Sequence, residues 1–181
     1  MKQRILSTAL AIAAAAALAG CQTYYVPPTS GPTAKLRVQM DSNDYFVVAG
    51  VWNGGVCKDP AIISLIGASP QWVTAEHAEK ERSSLNMLGG TSAADAKRVE
   101  RLVPAERPLA LSLHSNRPGG GKLQLCNANL TFTPESGREY EVSHMLGSDA
   151  CLVAVNELVA DGRGFKRVPL TSVVQHPGKC P

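Results

Sequence analysis

From Ala34 the chain alternates: Ala34, Leu36, Val38 and Met40 are apolar, while Lys35, Arg37 and Gln39 between them are polar. A two-residue period of this kind predicts a strand with one face in water. Tyr45–Trp52 is rich in β-branched and aromatic residues and runs into Asn53-Gly54-Gly55, a turn signal ahead of Val56-Cys57. Ala61–Ile66 is a short apolar run between Pro60 and Gly67. Leu109–Leu113, the turn-rich Asn116–Gly121 and the long run Lys122–Thr133 predict a hairpin. Pro134–Gly137 supplies the next turn, and Arg138–His144 a strand with Tyr140 and Val142 inward. Ala150–Leu158 forms a further strand, and Asp161–Gly164 turns the chain into a last one, Phe165–Val174.

Between Thr74 and Arg101 the alternation fails, and Ala, Glu, Lys and Ser take over. Ala75–Arg82 has room for two helical turns, and Ser92 with Asp95 has capping-box spacing ahead of Ala96, Val99 and Leu102. Gly89-Gly90 separates the two, which predicts a long, partly helical excursion. About eight short strands punctuated by Gly/Pro turns make this an all-β domain. An antiparallel β-sandwich is the natural solution and a β-barrel the alternative. The run Phe132–Val155 resembles transthyretin-like and immunoglobulin-like exported modules without a motif specific to either, and that resemblance implies a sandwich. There is no internal repeat.

The N-terminus has a different character. Lys2 and Arg4 precede an uncharged, Ala/Leu-dominated stretch, Ile5–Gly20, the layout of a secretory signal. At about 16 residues it falls short of the ~20 that cross a hydrocarbon core. It ends in Leu18-Ala19-Gly20-Cys21, which resembles the lipobox of bacterial lipoproteins. The resemblance covers the first 21 residues. It implies a signal at residues 1–20 that is removed, and a diacylglyceryl group on the thiol of Cys21, the first residue of the mature chain. An ordinary signal cut near Ala19, with Cys21 free, is the alternative. Gln22, a residue other than Asp, further implies delivery to the outer membrane, facing the periplasm. Several buried acyl chains at roughly 0.8 kcal/mol per methylene amount to an essentially permanent anchor. Residues 21–33 then read as lipidated Cys and tether, because QTYYVPPTSGPT (residues 22–33) carries three Pro, one Gly, three Thr and a Ser. Residues 34–181 form a single domain.

Charge narrows the partners. The chain has 18 basic and 15 acidic side chains; without Lys2 and Arg4 the mature chain has 16 against 15, a net of +1. It carries no dense basic cluster, so nucleic acid is not an expected partner. Lys166-Arg167 and the spaced Lys97, Arg98 and Arg101 read as solvated faces. Export puts the cysteines in an oxidising compartment, where they are read first as bridges. Cys57, Cys126, Cys151 and Cys180 allow three pairings. The strand period places Cys126 on the face with Ala128, Leu130 and Phe132, opposite Asn127, Asn129 and Thr131. Cys151 shares a face with Val153 and Val155. The expected bridges are therefore Cys126–Cys151 and Cys57–Cys180. No CxxC pair or close Cys/His spacing suggests a metal.

Catalytic signals are faint. Pro118-Gly119-Gly120-Gly121-Lys122-Leu123 lacks the upstream Gly and the Ser/Thr of a phosphate loop and reads as a hairpin turn. Gly147-Ser148-Asp149-Ala150 lacks the second Gly of a nucleophile elbow. His77, His114, His144 and His176 are scattered, with no pair at helical metal spacing; His77 lies near Glu76 and Glu79. Trp52 and Trp72 read as packing residues, and the sequon Asn129-Leu130-Thr131 as coincidence. The sequence is thus that of a lipid-anchored envelope lipoprotein, with no cofactor, no metal and no catalytic residue expected. It predicts a non-enzymatic binding or structural module that meets the membrane through its anchor and takes an envelope protein or cell-wall partner. The alternatives are an inhibitor of an envelope-targeting hydrolase such as a lysozyme or protease, whose plug is the 67–91 stretch, and an unrecognised periplasmic hydrolase centred on His77 or His144.

Overall fold

The computed structural model describes residues 24–40, 46–52, 61–66, 84–90, 98–119, 122–146 and 151–176. These form ten strands and, among the described residues, no helix: β1 Thr33–Met40, β2 Phe46–Trp52, β3 Ala61–Ile66, β4 Arg98–Pro104, β5 Leu109–Gly119, β6 Lys122–Phe132, β7 Glu139–Leu146, β8 Cys151–Asp161, β9 Gly164–Pro169 and β10 Val174–His176. They make two five-stranded sheets, β4-β1-β7-β8-β9 and β10-β6-β5-β2-β3, which do not close into a barrel. The fold is a β-sandwich, and the barrel alternative falls.

The two sheets meet through the apolar faces that the alternation marked. Leu36, Val38 and Met40 of β1, with Tyr140 and Val142 of β7, face Val47 and Ala49 of β2, Leu111 and Leu113 of β5, and Leu130 and Phe132 of β6 in one buried cluster. Burying each such aliphatic side chain contributes about 1.5 to 3 kcal/mol, which is what fixes the register of every strand. The Phe132 and Tyr140 rings pack tilted, with centroids 5.5 Å apart. The buried Tyr140 hydroxyl accepts the Glu135 N–H at 2.9 Å, tying down the β6–β7 turn.

Several sequence expectations change. The sandwich is not wholly antiparallel, because β1 lies parallel to β7, from Lys35 opposite Glu139 to Met40 opposite His144. Residues 98–104, expected to carry the second helix of the excursion, are strand β4, paired antiparallel with β1. The 96/99/102 spacing is helical, but Val99 and Val103 also alternate with Arg98, Glu100 and Leu102, and pairing with β1 decides in favour of strand. Residues 75–82, the other expected helix, lie outside the described residues. The β5–β6 hairpin forms, yet its ladder runs through the supposed turn to Gly119 opposite Lys122. The last expected strand divides: β9 joins one sheet, and after Pro169 the chain crosses to add β10 to the other.

The segment read as tether is attached to the sandwich from Tyr24 onward. Tyr24 bridges to Ile62, and the Tyr25 N–H donates to the Ile62 carbonyl at 2.8 Å. The Tyr25 hydroxyl donates to the Leu102 carbonyl at 2.9 Å. Tyr25 thereby ties β3 of one sheet to β4 of the other. Burial pushes its phenol up to about 12, against an opposing pull from Arg107.

Candidate functional site

β1 sits inside its sheet, so its polar face is flanked on both sides. Arg37 lies opposite Glu100 of β4 and Glu141 of β7. The face expected in water is covered: Arg37 and Glu141 are both 0% exposed. The guanidinium donates from Nε and Nη2 to Glu100 Oε1 at 3.1 and 2.8 Å, and from Nη1 to Glu141 Oε2 at 3.2 Å. Its remaining two N–H groups reach the carbonyls of Leu88 (2.9 Å) and Met87 (3.2 Å). All five guanidinium donors are used.

The cover is the 84–90 segment. Gly90 N–H donates to the Met87 carbonyl at 2.9 Å, closing a turn in which Gly89 takes φ +68°, the position that favours glycine in a type II turn. The acids hold this turn in place. Glu100 Oε2 accepts from Ser84 Oγ at 3.1 Å and from Leu85 N at 2.7 Å, and Glu139 Oε2 accepts from Leu88 N at 2.6 Å. Lys35 Nζ lies 2.9 Å from Glu139 Oε1. The Phe165 ring covers Gly89, where even a Cβ would strike it. Gly89→Ala should therefore cost at least about 1 kcal/mol, from the positive φ alone before the clash with Phe165 is added. Urea unfolding measures it, and an unchanged midpoint would mean the turn is not held as described.

Arg167, read as part of a solvated pair with Lys166, is instead the outer member of the cluster. It reaches across β8 from β9 and donates from Nε and Nη2 to Glu141 Oε1 and Oε2, at 2.6 and 3.2 Å. Its guanidinium also lies 5.1 Å from the centroid of the Phe165 ring. The hydrogen bonds to Glu141 raise its affinity for the proton, outweighing the cost of partial burial.

Glu100 carries a pH signature. Burial raises its carboxyl pKa and is the largest single influence. The hydrogen bonds and charge of Arg37, with the Leu85 N–H and the Ser84 hydroxyl, together outweigh it and leave the net shift downward. A carboxylate with a lowered folded pKa contributes stability that is present above the unfolded value, about 4.3, and is lost as pH falls through the folded one. The urea midpoint should thus fall between pH 5 and 3, and fall less in Glu100→Gln. Parallel curves for the two proteins would show that Glu100 carries none of the acid sensitivity.

A second cluster lies in the core. Cys126 of β6 and Cys151 of β8 form a disulfide across the two sheets, with Cα atoms 5.6 Å apart. This is one of the two expected bridges; Cys57 and Cys180 lie outside the described residues, as does Cys21. Cys126 is buried as expected, but Cys151 is exposed at the start of β8. It forms the last pair of the β7–β8 ladder, opposite Leu146. His144 of β7 is fully buried, with Nε2 2.9 Å from Cys126 Sγ and 3.3 Å from Ser115 Oγ. The three potential ligand atoms of Cys126, Cys151 and His144 lie within 4.8 Å of one another.

On the outer face of the β5–β6 sheet a polar chain runs from Ser112 Oγ to His114 Nε2 (2.7 Å) and from His114 Nδ1 to Asn127 Oδ1 (2.8 Å). The connectivity is that of a nucleophile, base and orienting group. Ser112 is completely buried, however, and its backbone sits inside the strand ladder. This chain is a cross-strand hydrogen-bond ladder rather than an attacking centre. On the same sheet His176 pairs with Thr131 at 3.0 Å, joining β10 to β6. Asn129, expected outward, does point away from the core yet is buried.

Of the residues singled out in the sequence, the structure brings together Cys126, Cys151 and His144, and leaves His114 and His176 on the opposite sheet face. His77, Trp72 and the 67–83 part of the excursion lie outside the described residues. Trp52 is half-buried in β2, with its indole Nε1 buried and without a hydrogen-bond partner among the described residues. Sequence reading missed Arg37, Glu100 and Glu141. The available signal was a charge at the centre of three neighbouring strands, visible only once β4 and β7 are known to flank β1. Comparison with family models, curated proteins and solved structures finds no match, so the residues themselves carry the functional reading.

Proposed function

We propose that this chain is a lipid-anchored envelope protein whose sandwich is a non-enzymatic binding or structural module held against the outer membrane. The lipobox Leu18-Ala19-Gly20-Cys21 supports the anchor, the periplasmic side and the removal of residues 1–20. The observation that carries the non-enzymatic reading is the saturation of the Arg37 cluster: five guanidinium donors meet five acceptances from Glu100, Glu141 and two carbonyls. Those side chains are spent on fastening a turn to a sheet.

Attachment of Tyr24 and Tyr25 to the sandwich sharpens the geometry of this proposal. Three residue steps separate Cys21 from Tyr24, about 10 Å at full extension. The β3/β4 edge therefore rides at the lipid surface, and the partner is met at the membrane rather than at the end of a long tether. Cross-linking in intact cells, followed by detergent extraction and recovery of the chain, tests the module. The expected result is one envelope protein or cell-wall component recovered at stoichiometric yield, and lost when Cys21→Ser releases the chain from the membrane. Recovery of nothing specific at native abundance would contradict it.

A further inference from the structure

We propose that Cys126, Cys151 and His144 form a redox-gated site for a thiophilic d10 cation, Cu(I) in particular, closed by the disulfide and opened by its reduction. The other described inner-face side chains of β7 are apolar, Tyr140, Val142 and Leu146, and the core rewards that. Placing an imidazole there costs desolvation unless something is gained by it. Its Nε2 lies 2.9 Å from a sulfur of the bridge, with the Ser115 hydroxyl alongside at 3.3 Å. Two sulfurs and one imidazole nitrogen within 4.8 Å already have the span of a three-donor site.

Access is asymmetric in the useful direction. Cys151 is exposed and Cys126 buried, so an external dithiol attacks Cys151 Sγ and expels Cys126 as a thiolate beside His144. The second thiol of the reductant then resolves the mixed disulfide, leaving as its own disulfide, and the protein holds two thiols. Cu(I) displaces both thiol protons to solvent, and the His144 Nε2 lone pair completes trigonal coordination. Soft thiolates select Cu(I) and zinc; among the described residues no fourth Cys, His or carboxylate joins the cluster, and three donors suit Cu(I) better than tetrahedral zinc.

The test uses the full chain with Cys21, Cys57 and Cys180 replaced by Ser, so that only this pair remains. It is reduced with a dithiol, freed of it without oxygen, and titrated with Cu(I) against a chromogenic chelator, with Zn(II) in a parallel arm. One equivalent of Cu(I) should bind the reduced protein and none the oxidised protein. His144→Ala should weaken binding about 100-fold. Should His144→Ala lose its far-UV spectrum, Cys151→Ser, at an exposed position, provides the same comparison. Equal affinity in reduced and oxidised protein, or in the variants, would overturn the proposal. Zn(II) binding that Cu(I) fails to displace would overturn the copper assignment.

Discussion

Arg37→Met should destabilise the domain by about 3 to 5 kcal/mol, the cost of leaving buried charge without its counter-charge. Against a total stability of about 5 to 15 kcal/mol this is a large share. The substitution keeps the volume of the side chain but leaves Glu100 and Glu141 facing the gap from either side, one 5% and the other 0% exposed. It also removes the guanidinium donors to the Met87 and Leu88 carbonyls, of which Met87 keeps the bond from the Gly90 N–H, so the 84–90 turn should loosen along with the sheet. The pH dependence identifies the cause. In the native chain acid weakens the fold by protonating Glu100; in Arg37→Met that carboxylate has lost its cation while Glu141 keeps Arg167, so protonating Glu100 no longer breaks an ion pair and the deficit should shrink as pH falls toward 4. Adding Glu100→Gln and Glu141→Gln to Arg37→Met should recover part of the loss at pH 7. Urea denaturation of the three proteins at pH 7 and pH 4 measures this. A loss below 1 kcal/mol, independent of pH, would mean that the cluster is not buried as described.

Removing the Cys126–Cys151 bridge is the next largest perturbation. With a sequence separation of 25 between the two cysteines, the loop-closure argument gives about 3 to 4 kcal/mol. Because the bridge joins β6 to β8, the loss falls on the contact between the sheets rather than within either one. Cys126→Ala with Cys151→Ala should lower the thermal midpoint while leaving the far-UV strand signal at low temperature unchanged. Adding a reductant should then cost the native chain what it does not cost the variant, apart from any contribution of Cys57 and Cys180. Equal midpoints with and without the bridge would contradict the assignment of an inter-sheet staple.

The core was legible because alternation survives folding: Leu36, Val38, Tyr140, Val142, Leu130 and Phe132 are inward, as a two-residue period requires. The same period put Cys126 inward, as found, but also Cys151, which is exposed although the two form the bridge. What alternation does not distinguish is a polar face in water from a polar face under a loop. Lys35-Leu36-Arg37-Val38 reads the same in both cases, and only the cover from 84–90 and the acids of β4 and β7 make Arg37 a buried residue. Strand β4 was hidden for a related reason, since RVERLVP has weak local preference and takes its state from pairing with β1. His144 was within reach, being two residues from the inward Val142, but its neighbour Cys126 lies 18 positions away and meets it only across the sandwich.

The attachment of Tyr25 bears on how the proposed anchor works. A free twelve-residue tether would let the domain sample the periplasm to roughly 40 Å; with Tyr24 and Tyr25 held against β3 and β4, the proposed anchor would be joined to the sandwich by only about 10 Å of chain. All of this depends on Cys21 bearing lipid. Cells grown with labelled palmitate, expressing the full chain or Cys21→Ser, decide it when the N-terminal peptide is weighed. The account predicts label on the full chain, a mature N-terminus at acylated Cys21, and neither in Cys21→Ser. Label that persists in Cys21→Ser, or an unacylated mature chain beginning at Gly20, would contradict it.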